Sequence, residues 1–119
     1  MKILLVEDQL IVALTEVRII KKLGYEVISA SSASETIDII NTKEKIDLII
    51  MDINLGAGID GLELAEIIKD EHEIPIIFMS SHIEPEIIKQ AENISGNVYI
   101  LKTLDQFIIG DAIKKVLYK

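Results

Sequence analysis

Apolar residues fall into two patterns along this chain, short runs and longer stretches with helical spacing. The runs are four to six residues long and occupy positions 3–6, 26–30, 46–51, 75–79 and 98–101. Runs of this length and composition are typical of buried β-strands. The run at 26–30 is the least uniformly apolar, so we expect the second strand to lie near an edge of its sheet.

Between the runs, apolar residues recur every three or four positions, which is the spacing of one face of an α-helix. The first helix is predicted over 9–23, with a stripe of Leu10, Ala13, Leu14, Val17 and Ile20, and the third over 61–71, with Leu64, Ile67 and Ile68 inward. The other stripes are Ala33, Ile37 and Ile40; Ile83, Ile87, Ala91 and Ile94; and Ile109, Ala112, Ile113, Val116 and Leu117. We expect Gly24 to end the first helix, and Ser32 or Ser34 to cap the second.

Strict alternation of strands and helices predicts an α/β domain with right-handed crossovers. Such connections give a five-stranded parallel sheet that is covered by helices on both faces. The 119 residues are enough for a single domain, 1–119, and leave none for a second.

Composition narrows the classes of function. The net charge of −8 argues against nucleic acid as a direct ligand, because binding a phosphate backbone needs clustered Lys and Arg. The chain has no cysteine, hence no disulfide framework and no thiolate chemistry. No apolar stretch is long enough to span a bilayer, and nothing resembles a signal peptide, so we expect no membrane association and a cytoplasmic location.

Charged and hydroxyl side chains follow the predicted strands where each one ends. Glu7 and Asp8 follow the first strand, Asp52 the third, Ser80 ends the fourth, and Lys102 follows the fifth. The carboxyl ends of parallel strands share one edge, where ligands of open α/β sheets bind. Carboxylates gathered there would repel one another unless a cation lay between them, and hard oxygen ligands suit Mg²⁺. A carboxylate beside a metal can also act as a nucleophile toward phosphorus.

The segments that carry these residues resemble the receiver domain of two-component response regulators. They are LLVED at 4–8, LIIMDINL at 48–55, PIIFMSS at 75–81 and YILK at 99–102. Four such motifs in order, each at a strand end with a helix between, cover nearly the whole chain. The resemblance implies a flavodoxin-like (βα)5 fold with strand order 2-1-3-4-5.

The resemblance also implies a phosphoacceptor and a metal site. Asp52 matches the phosphorylated aspartate, Asp8 the direct carboxylate ligand of Mg²⁺ (or Mn²⁺), and Glu7 its more water-mediated neighbour. Asn54 matches the position whose backbone carbonyl reaches the metal.

Four further positions match residues around the phosphorylation site. Ser80 matches the switch hydroxyl, Lys102 the lysine that pairs with the phosphoryl group, and Gly61 the glycine that opens the third helix. Tyr99 matches the switch aromatic, although it would equally suit a half-buried strand residue. His82 reads equally well as an exposed loop residue or as a residue that tunes dephosphorylation.

The chain departs from the family pattern at three places. Thr103 follows the lysine where the family usually has a proline with a cis peptide bond, and we expect a trans bond here. The loop before the third helix contains two extra glycines, Gly56 and Gly58, and lacks the usual proline. Glu7 stands where aspartate is more frequent.

The resemblance therefore implies a phosphorelay switch, either stand-alone or excised from a larger signalling protein, that is not a turnover enzyme. A sensor histidine kinase or phosphotransfer protein would phosphorylate Asp52, and the altered conformation would control an unknown output protein. Off-stripe Ile88 and Ile108 could belong to a homodimer face formed by the fourth helix, fifth strand and fifth helix.

Three other functions fit parts of the same pattern. A small haloacid-dehalogenase-like phosphatase also uses a nucleophilic aspartate with Mg²⁺, but its nucleophile follows the first strand in an Asp-x-Asp motif, whereas position 54 is Asn. A flavin-binding protein would need a phosphate loop after the first strand. A docking receiver that is not phosphorylated fits the fold, but would not need the full set of charged residues.

Overall fold

Five parallel strands and five helices alternate along the part of the chain that the structure describes. This computed structural model describes residues 1–42, 44–55, 60–81, 85–93 and 98–118. The strands are β1 Lys2–Val6, β2 Glu26–Ala30, β3 Leu48–Asp52, β4 Ile76–Ser80 and β5 Val98–Leu101. The helices are α1 Leu10–Lys22, α2 Ala33–Asn41, α3 Gly61–Glu71, α4 Pro85–Asn93 and α5 Gln106–Leu117.

The strands form one sheet in the order β2-β1-β3-β4-β5, with every pair parallel. This confirms the predicted fold class, the strand order and the edge position of β2. None of the helices in the described ranges has the length and apolarity needed to cross a membrane.

The sheet separates two apolar cores, because successive side chains of a strand point to opposite faces. One face is covered by α1 and α5, and we call its buried cluster the α1/α5 core. It contains Ile3, Leu5, Ala13, Ile20, Leu48, Ile50, Ile77, Met79, Ile109, Ala112 and Ile113. The other face, with Leu4, Val6, Ile49, Met51, Phe78 and residues of α2, α3 and α4, forms the α2–α4 core.

Helix α1 buries a different stripe from the one that its apolar residues predict. Ala13, Glu16 and Ile20 are buried, whereas Leu10 is 73% exposed and Leu14 is 59% exposed. The expectation for Leu10 and Leu14 was therefore wrong. The helix packs through small Ala13 rather than through its larger neighbours, so the face containing Leu10 and Leu14 is turned to solvent.

Helices α2, α3 and α5 follow their predicted stripes with one exception. Leu64 and Ile68 of α3 are buried as expected, but Ile67 is 47% exposed. Ala91 of α4 is buried. The side chains of Ile83, Ile87 and Ile94 lie outside the described residues.

Helix ends agree with the predicted signals. Gly24 follows α1 with a φ of +99°, and Ser32 caps α2 by accepting a hydrogen bond from the backbone N–H of Glu35 at 3.1 Å. Strand β3 begins at Leu48 rather than at residue 46. The Asp47 carboxylate instead accepts a hydrogen bond from the backbone N–H of Lys2 at 2.8 Å, outside the strand ladder.

Gly61 places the start of α3 against the end of β3. Its N–H donates to the carbonyl of Ile53 at 2.8 Å. A Cβ at this position would lie 2.3 Å from the backbone oxygen of Asp52 and 2.9 Å from the Cα of Ile53. Only glycine allows this approach, so Gly61 fixes the backbone that carries the Asp52 side chain.

We expect Gly61→Ala to destabilise the protein by about 1–3 kcal/mol, because the new methyl group must displace backbone atoms. Urea unfolding at equilibrium measures the change. Gly110→Ala is the matched control, since its Cβ would meet only side-chain atoms of Leu23, at 3.4 Å and beyond. That variant should be stabilised by up to about 1 kcal/mol through helix propensity. A Gly61→Ala protein as stable as the wild type would contradict the close packing.

Candidate functional site

Three charged side chains, those of Glu7, Asp52 and Lys102, come together at the carboxyl edge of the sheet. Glu7 directly follows β1, Asp52 is the last residue of β3, and Lys102 directly follows β5. Counting back along each strand, every second residue belongs to the α1/α5 core. The three side chains therefore lie on the face that α1 and α5 cover, where Glu7 and Asp52 are buried.

The Lys102 ammonium bridges the two buried carboxylates. Its Nζ lies 2.5 Å from Glu7 Oε1 and 3.1 Å from Asp52 Oδ2. The remaining oxygens accept backbone hydrogen bonds. Glu7 Oε2 accepts from the N–H of Gln9 at 3.2 Å, and Asp52 Oδ1 accepts from the N–H of Asn54 at 3.1 Å. Both carboxylates are thus held in orientation from two sides.

The balance of burial and contacts differs between the two carboxyls. Burial raises the pKa of Asp52 to about 6, against the opposing contact with Lys102 and with the charge of Glu7 adding to the rise. Burial also acts to raise the pKa of Glu7, but Lys102 and the N–H of Gln9 outweigh it, so the pKa of Glu7 is lowered. Burial lowers the pKa of Lys102, whereas its contacts with Glu7 and Asp52 leave it raised overall. Asp52 is therefore the carboxylate whose charge is less well compensated.

A third carboxylate, that of Asp8, completes an acidic cluster. Glu7, Asp8 and Asp52 each offer an oxygen, and these three atoms lie within 4.8 Å of one another. Lys102 supplies a single positive charge against three negative ones. The oxygen donors and the uncompensated charge fit Mg²⁺ or Mn²⁺, which proteins bind through one or two carboxylates together with water and phosphate oxygens.

Ser80 and Tyr99 belong to the opposite side of the sheet from the charged group. Ser80 is the buried last residue of β4, and its carbonyl accepts a hydrogen bond from the N–H of Lys102 at 2.8 Å. Tyr99 is half-buried and packs against the α2–α4 core. The two residues thus lie on the face of the sheet that α4 covers. The backbone hydrogen bond from Lys102 links Ser80 to the charged group on the other face.

Thr103 occupies a turn that leads into α5. The peptide bonds of the described residues are trans, as expected for the bond between Lys102 and Thr103. Thr103 Oγ1 accepts a hydrogen bond from the N–H of Asp105 at 3.0 Å, and Asp105 caps α5. The hydroxyl of Thr103 therefore takes part in the local hydrogen bonding of this turn, and Lys102 still reaches Asp52.

Some predicted residues fall outside the described part of the chain. These are His82 and the glycines Gly56 and Gly58. Asn54 reaches Asp52 through its backbone N–H, and the role of its carbonyl stays a prediction. On the predicted dimer face, Ile88 is half-buried and Ile108 is exposed, and that interface also stays a prediction.

Sequence reasoning missed Glu16. This residue of α1 is only 2% exposed, and burial raises its pKa to about 8, with the charge of Glu7 adding to the rise. The signal was present in the sequence, since Glu16 lies three residues after Ala13 and four before Ile20, on one helical stripe. Glu16 was not assigned to this stripe, because only apolar residues were used to define it.

Comparison with known proteins identifies relatives over nearly the whole chain. The family model of the response regulator receiver domain matches residues 3–114. Sporulation initiation phosphotransferase F of Bacillus subtilis is 32% identical over 118 residues, which are 98% of this chain and 93% of that protein. The CAI-1 autoinducer sensor kinase/phosphatase of Vibrio cholerae is 30% identical over 112 residues, but the chain spans only 16% of its length.

Solved structures give the same result. A two-component response regulator from Clostridium difficile superposes with a TM-score of 0.90 at 28% identity, over 99% of this chain and 96% of that one. The N-terminal domain of a response regulator/sensory box/GGDEF protein from Carboxydothermus hydrogenoformans gives 0.89 at 31% identity, over 98% and 94% of the two chains.

We expect Asp52→Asn to stabilise the metal-free protein at pH 7.5 by about 1–3 kcal/mol. Between pH 3.8 and about 6 the folded protein keeps the Asp52 proton while the unfolded chain has lost it. The wild type therefore loses stability as the pH rises through this window, and asparagine does not. Urea unfolding in chelator at several pH values should show the gain shrinking from pH 6 to pH 4. A variant less stable than wild type at pH 7.5 would mean that Lys102 more than compensates the burial of Asp52.

Proposed function

This chain belongs to the response regulator receiver domain family, and we propose that Asp52 is the residue that becomes phosphorylated. A receiver domain is a phosphoacceptor signalling switch. The observation that carries the assignment is the bridging ammonium of Lys102, which contacts Asp52 and Glu7 at the edge where the strands end. Asp52 is the less compensated member of this pair and projects from a central strand.

The Asp52 carboxylate attacks the phosphorus of a phosphohistidine on a partner protein. An oxygen–phosphorus bond forms, the phosphorus–nitrogen bond breaks, and the electron pair leaves with the imidazole. The N–H of Asn54 holds one carboxylate oxygen in place during the attack. The Lys102 ammonium, 3.1 Å from the other oxygen, is placed to pair with the incoming phosphoryl group.

Glu7, Asp8 and Asp52 are the residues that would hold Mg²⁺ or Mn²⁺, with the backbone carbonyl of Asn54 as a further ligand. When bound, the ion neutralises charge on the phosphoryl oxygens. Glu7 is already ionised by its contacts with Lys102 and Gln9, as a metal ligand must be.

Ser80 and Tyr99 would convert phosphorylation into a change on the face of α4. The Ser80 hydroxyl donates to a phosphoryl oxygen, and Tyr99, packed against the α2–α4 core, follows it inward. Moving a two-state equilibrium from 1:99 to 99:1 takes about 5.5 kcal/mol, which several charge-assisted hydrogen bonds can supply. The protein acts stoichiometrically in this scheme rather than as a turnover enzyme. A role of His82 in hydrolysis stays a prediction.

Exposed apolar side chains next to the site provide a surface for the phosphodonor protein. Leu10, Ile11 and Leu14 lie at the start of α1, which begins two residues after Asp8, and Leu104 and Phe107 lie at the start of α5. Ile11 is 80% exposed and Phe107 is 78% exposed. We call these five residues the donor patch. A donor that delivers a phosphoryl group to Asp52 must approach this edge, where it can cover these side chains.

Incubation with acetyl phosphate and Mg²⁺ should give an intact mass increased by one phosphoryl group. Asp52→Asn should give no adduct, because an amide oxygen is a poor nucleophile, and chelation of the metal should reduce the wild-type adduct at least tenfold. Intact-protein mass spectrometry measures both. A wild type without adduct, or an equal adduct on Asp52→Asn, would refute the assignment.

A substitution in the donor patch should slow phosphorylation by a histidine kinase but not phosphorylation by acetyl phosphate. A phosphorylated histidine kinase that transfers to the wild type is first selected from a panel of kinases. We expect Ile11→Asp to slow phosphotransfer from this kinase at least tenfold. Phosphorylation by acetyl phosphate should stay within twofold, because the small donor needs no docking. Ile67→Asp, a change at an exposed apolar residue of α3, is the matched control and should leave both rates unchanged. Equal kinase transfer to Ile11→Asp and wild type would exclude this surface.

A further inference from the structure

The solvent face of α1 carries a cluster of positive charge on an acidic protein. The chain has 20 acidic residues against 12 basic ones. In α1, however, the acidic residue Glu16 is buried, whereas Arg18, Lys21 and Lys22 are exposed. None of the ion pairs among the described residues involves these three cations. We call Arg18, Lys21 and Lys22 the basic cluster, and its charges are available to a partner.

The macrodipole of α1 explains only part of the basic cluster. Lys21 and Lys22 lie in the last turn, where a cation stabilises a helix. Arg18 precedes that turn, and the effect falls off beyond it. Together with Leu14 and Val17, the three cations line a groove of about 480 Å³. A cation that only stabilised the end of the helix would not need to line a groove with apolar side chains.

The groove continues the donor patch along α1. Leu14 belongs to both. Arg18 and Lys22 follow Leu14 at intervals of four residues, which places all three on one side of the helix. From Ile11 to Lys22 this side extends about 16 Å, at a rise of about 1.5 Å per residue. A protein segment that covers the donor patch and follows α1 therefore reaches the basic cluster.

Charge decides what kind of partner fits this groove. Nucleic acids and anionic membranes present negative charge over their whole surface, and the net charge of −8 opposes their approach. A protein segment with a few carboxylates needs only a local positive surface. Its apolar side chains can cover the donor patch while its carboxylates pair with the basic cluster. The occupant that matches the groove is an acidic, amphipathic segment of a protein.

We propose that the basic cluster selects the phosphodonor protein, by pairing with an acidic segment of the donor that lies along α1. This inference rests on the proposed function, because it assumes a donor protein that reaches Asp52 across the donor patch. Charges at the rim of an interface act mainly on the association rate, and salt screens them. The basic cluster should therefore control the kcat/KM of phosphotransfer at low salt.

Phosphotransfer from the histidine kinase selected for transfer to the wild type tests the proposal, with kcat/KM measured as a function of KCl. Between about 0.1 M and about 1 M KCl the screening length falls from about 10 Å to about 3 Å. We expect wild-type transfer to slow at least fivefold over this range. Arg18→Glu/Lys21→Glu should be at least tenfold slower than wild type at the lower concentration. At the higher concentration it should be within threefold, because salt screens the repulsion as well.

Lys45→Glu/Lys89→Glu is the matched control. Both lysines are exposed and lie away from α1, and the two substitutions change the net charge by the same amount. This variant should stay within twofold of wild type at every KCl concentration. Arg18→Lys/Lys21→Arg keeps the charges and should stay within threefold. Acetyl phosphate should phosphorylate all of these variants within twofold of wild type, which shows that they are folded.

A neutral variant guards against a charge-reversed protein that fails to fold. Arg18→Gln/Lys21→Gln should be at least threefold slower than wild type at the lower KCl concentration, and its transfer should depend less on salt.

Three results overturn the proposal while phosphorylation of Asp52 stands. They are wild-type transfer that does not depend on KCl, transfer to Arg18→Glu/Lys21→Glu at the wild-type rate, and an equal loss in Lys45→Glu/Lys89→Glu, which would reflect net charge alone. A wild type that acetyl phosphate does not phosphorylate overturns the proposed function itself.

Discussion

The contact between the Lys102 ammonium and two buried carboxylates is the interaction on which the site depends. Burying Glu7 and Asp52 side by side is unfavourable, and Lys102 is the cation that the described residues place between them. Together with the N–H of Gln9 it outweighs the effect of burial on Glu7, but it offsets the burial of Asp52 only in part, which leaves Asp52 with a raised pKa and the acidic cluster with excess negative charge. A site with this imbalance favours a divalent cation, and it places a positive group where a phosphoryl group would arrive.

The alternation of side chains along the strands separates the charged site from the two residues that we propose respond to its phosphorylation. Glu7, Asp52 and Lys102 project toward α1 and α5, whereas Ser80 and Tyr99 share the face of α4. The two groups meet at the backbone, through the hydrogen bond from Lys102 to the carbonyl of Ser80. The proposed donor binding beside α1 and the proposed response beside α4 therefore lie on opposite faces of one sheet. Gly61 fixes the backbone at the end of β3, from which Asp52 projects.

The sequence predicted the fold and the charged residues that meet at the sheet edge, because both depend on local signals. Apolar runs defined the strands, and Asp52 and Lys102 could be placed at one edge since parallel strands end together. The strand order came from family resemblance, because no periodicity encodes which strands are neighbours. The inward face of α1 was predicted wrongly, since Leu10 and Leu14 outweighed Ala13 in an apolar pattern. Glu16 was missed for the same reason, and its burial follows only from packing against the sheet.

Chemical trapping of the phosphorylated residue tests the central claim most directly. Borohydride reduces an acyl phosphate to an alcohol, so a phosphorylated aspartate becomes homoserine, which peptide mass spectrometry can locate. After phosphorylation with acetyl phosphate and Mg²⁺, the account predicts homoserine at position 52 and unmodified Glu7 and Asp8. Reduction at Asp8 or Glu7, or phosphorylated protein with an intact Asp52, would contradict it.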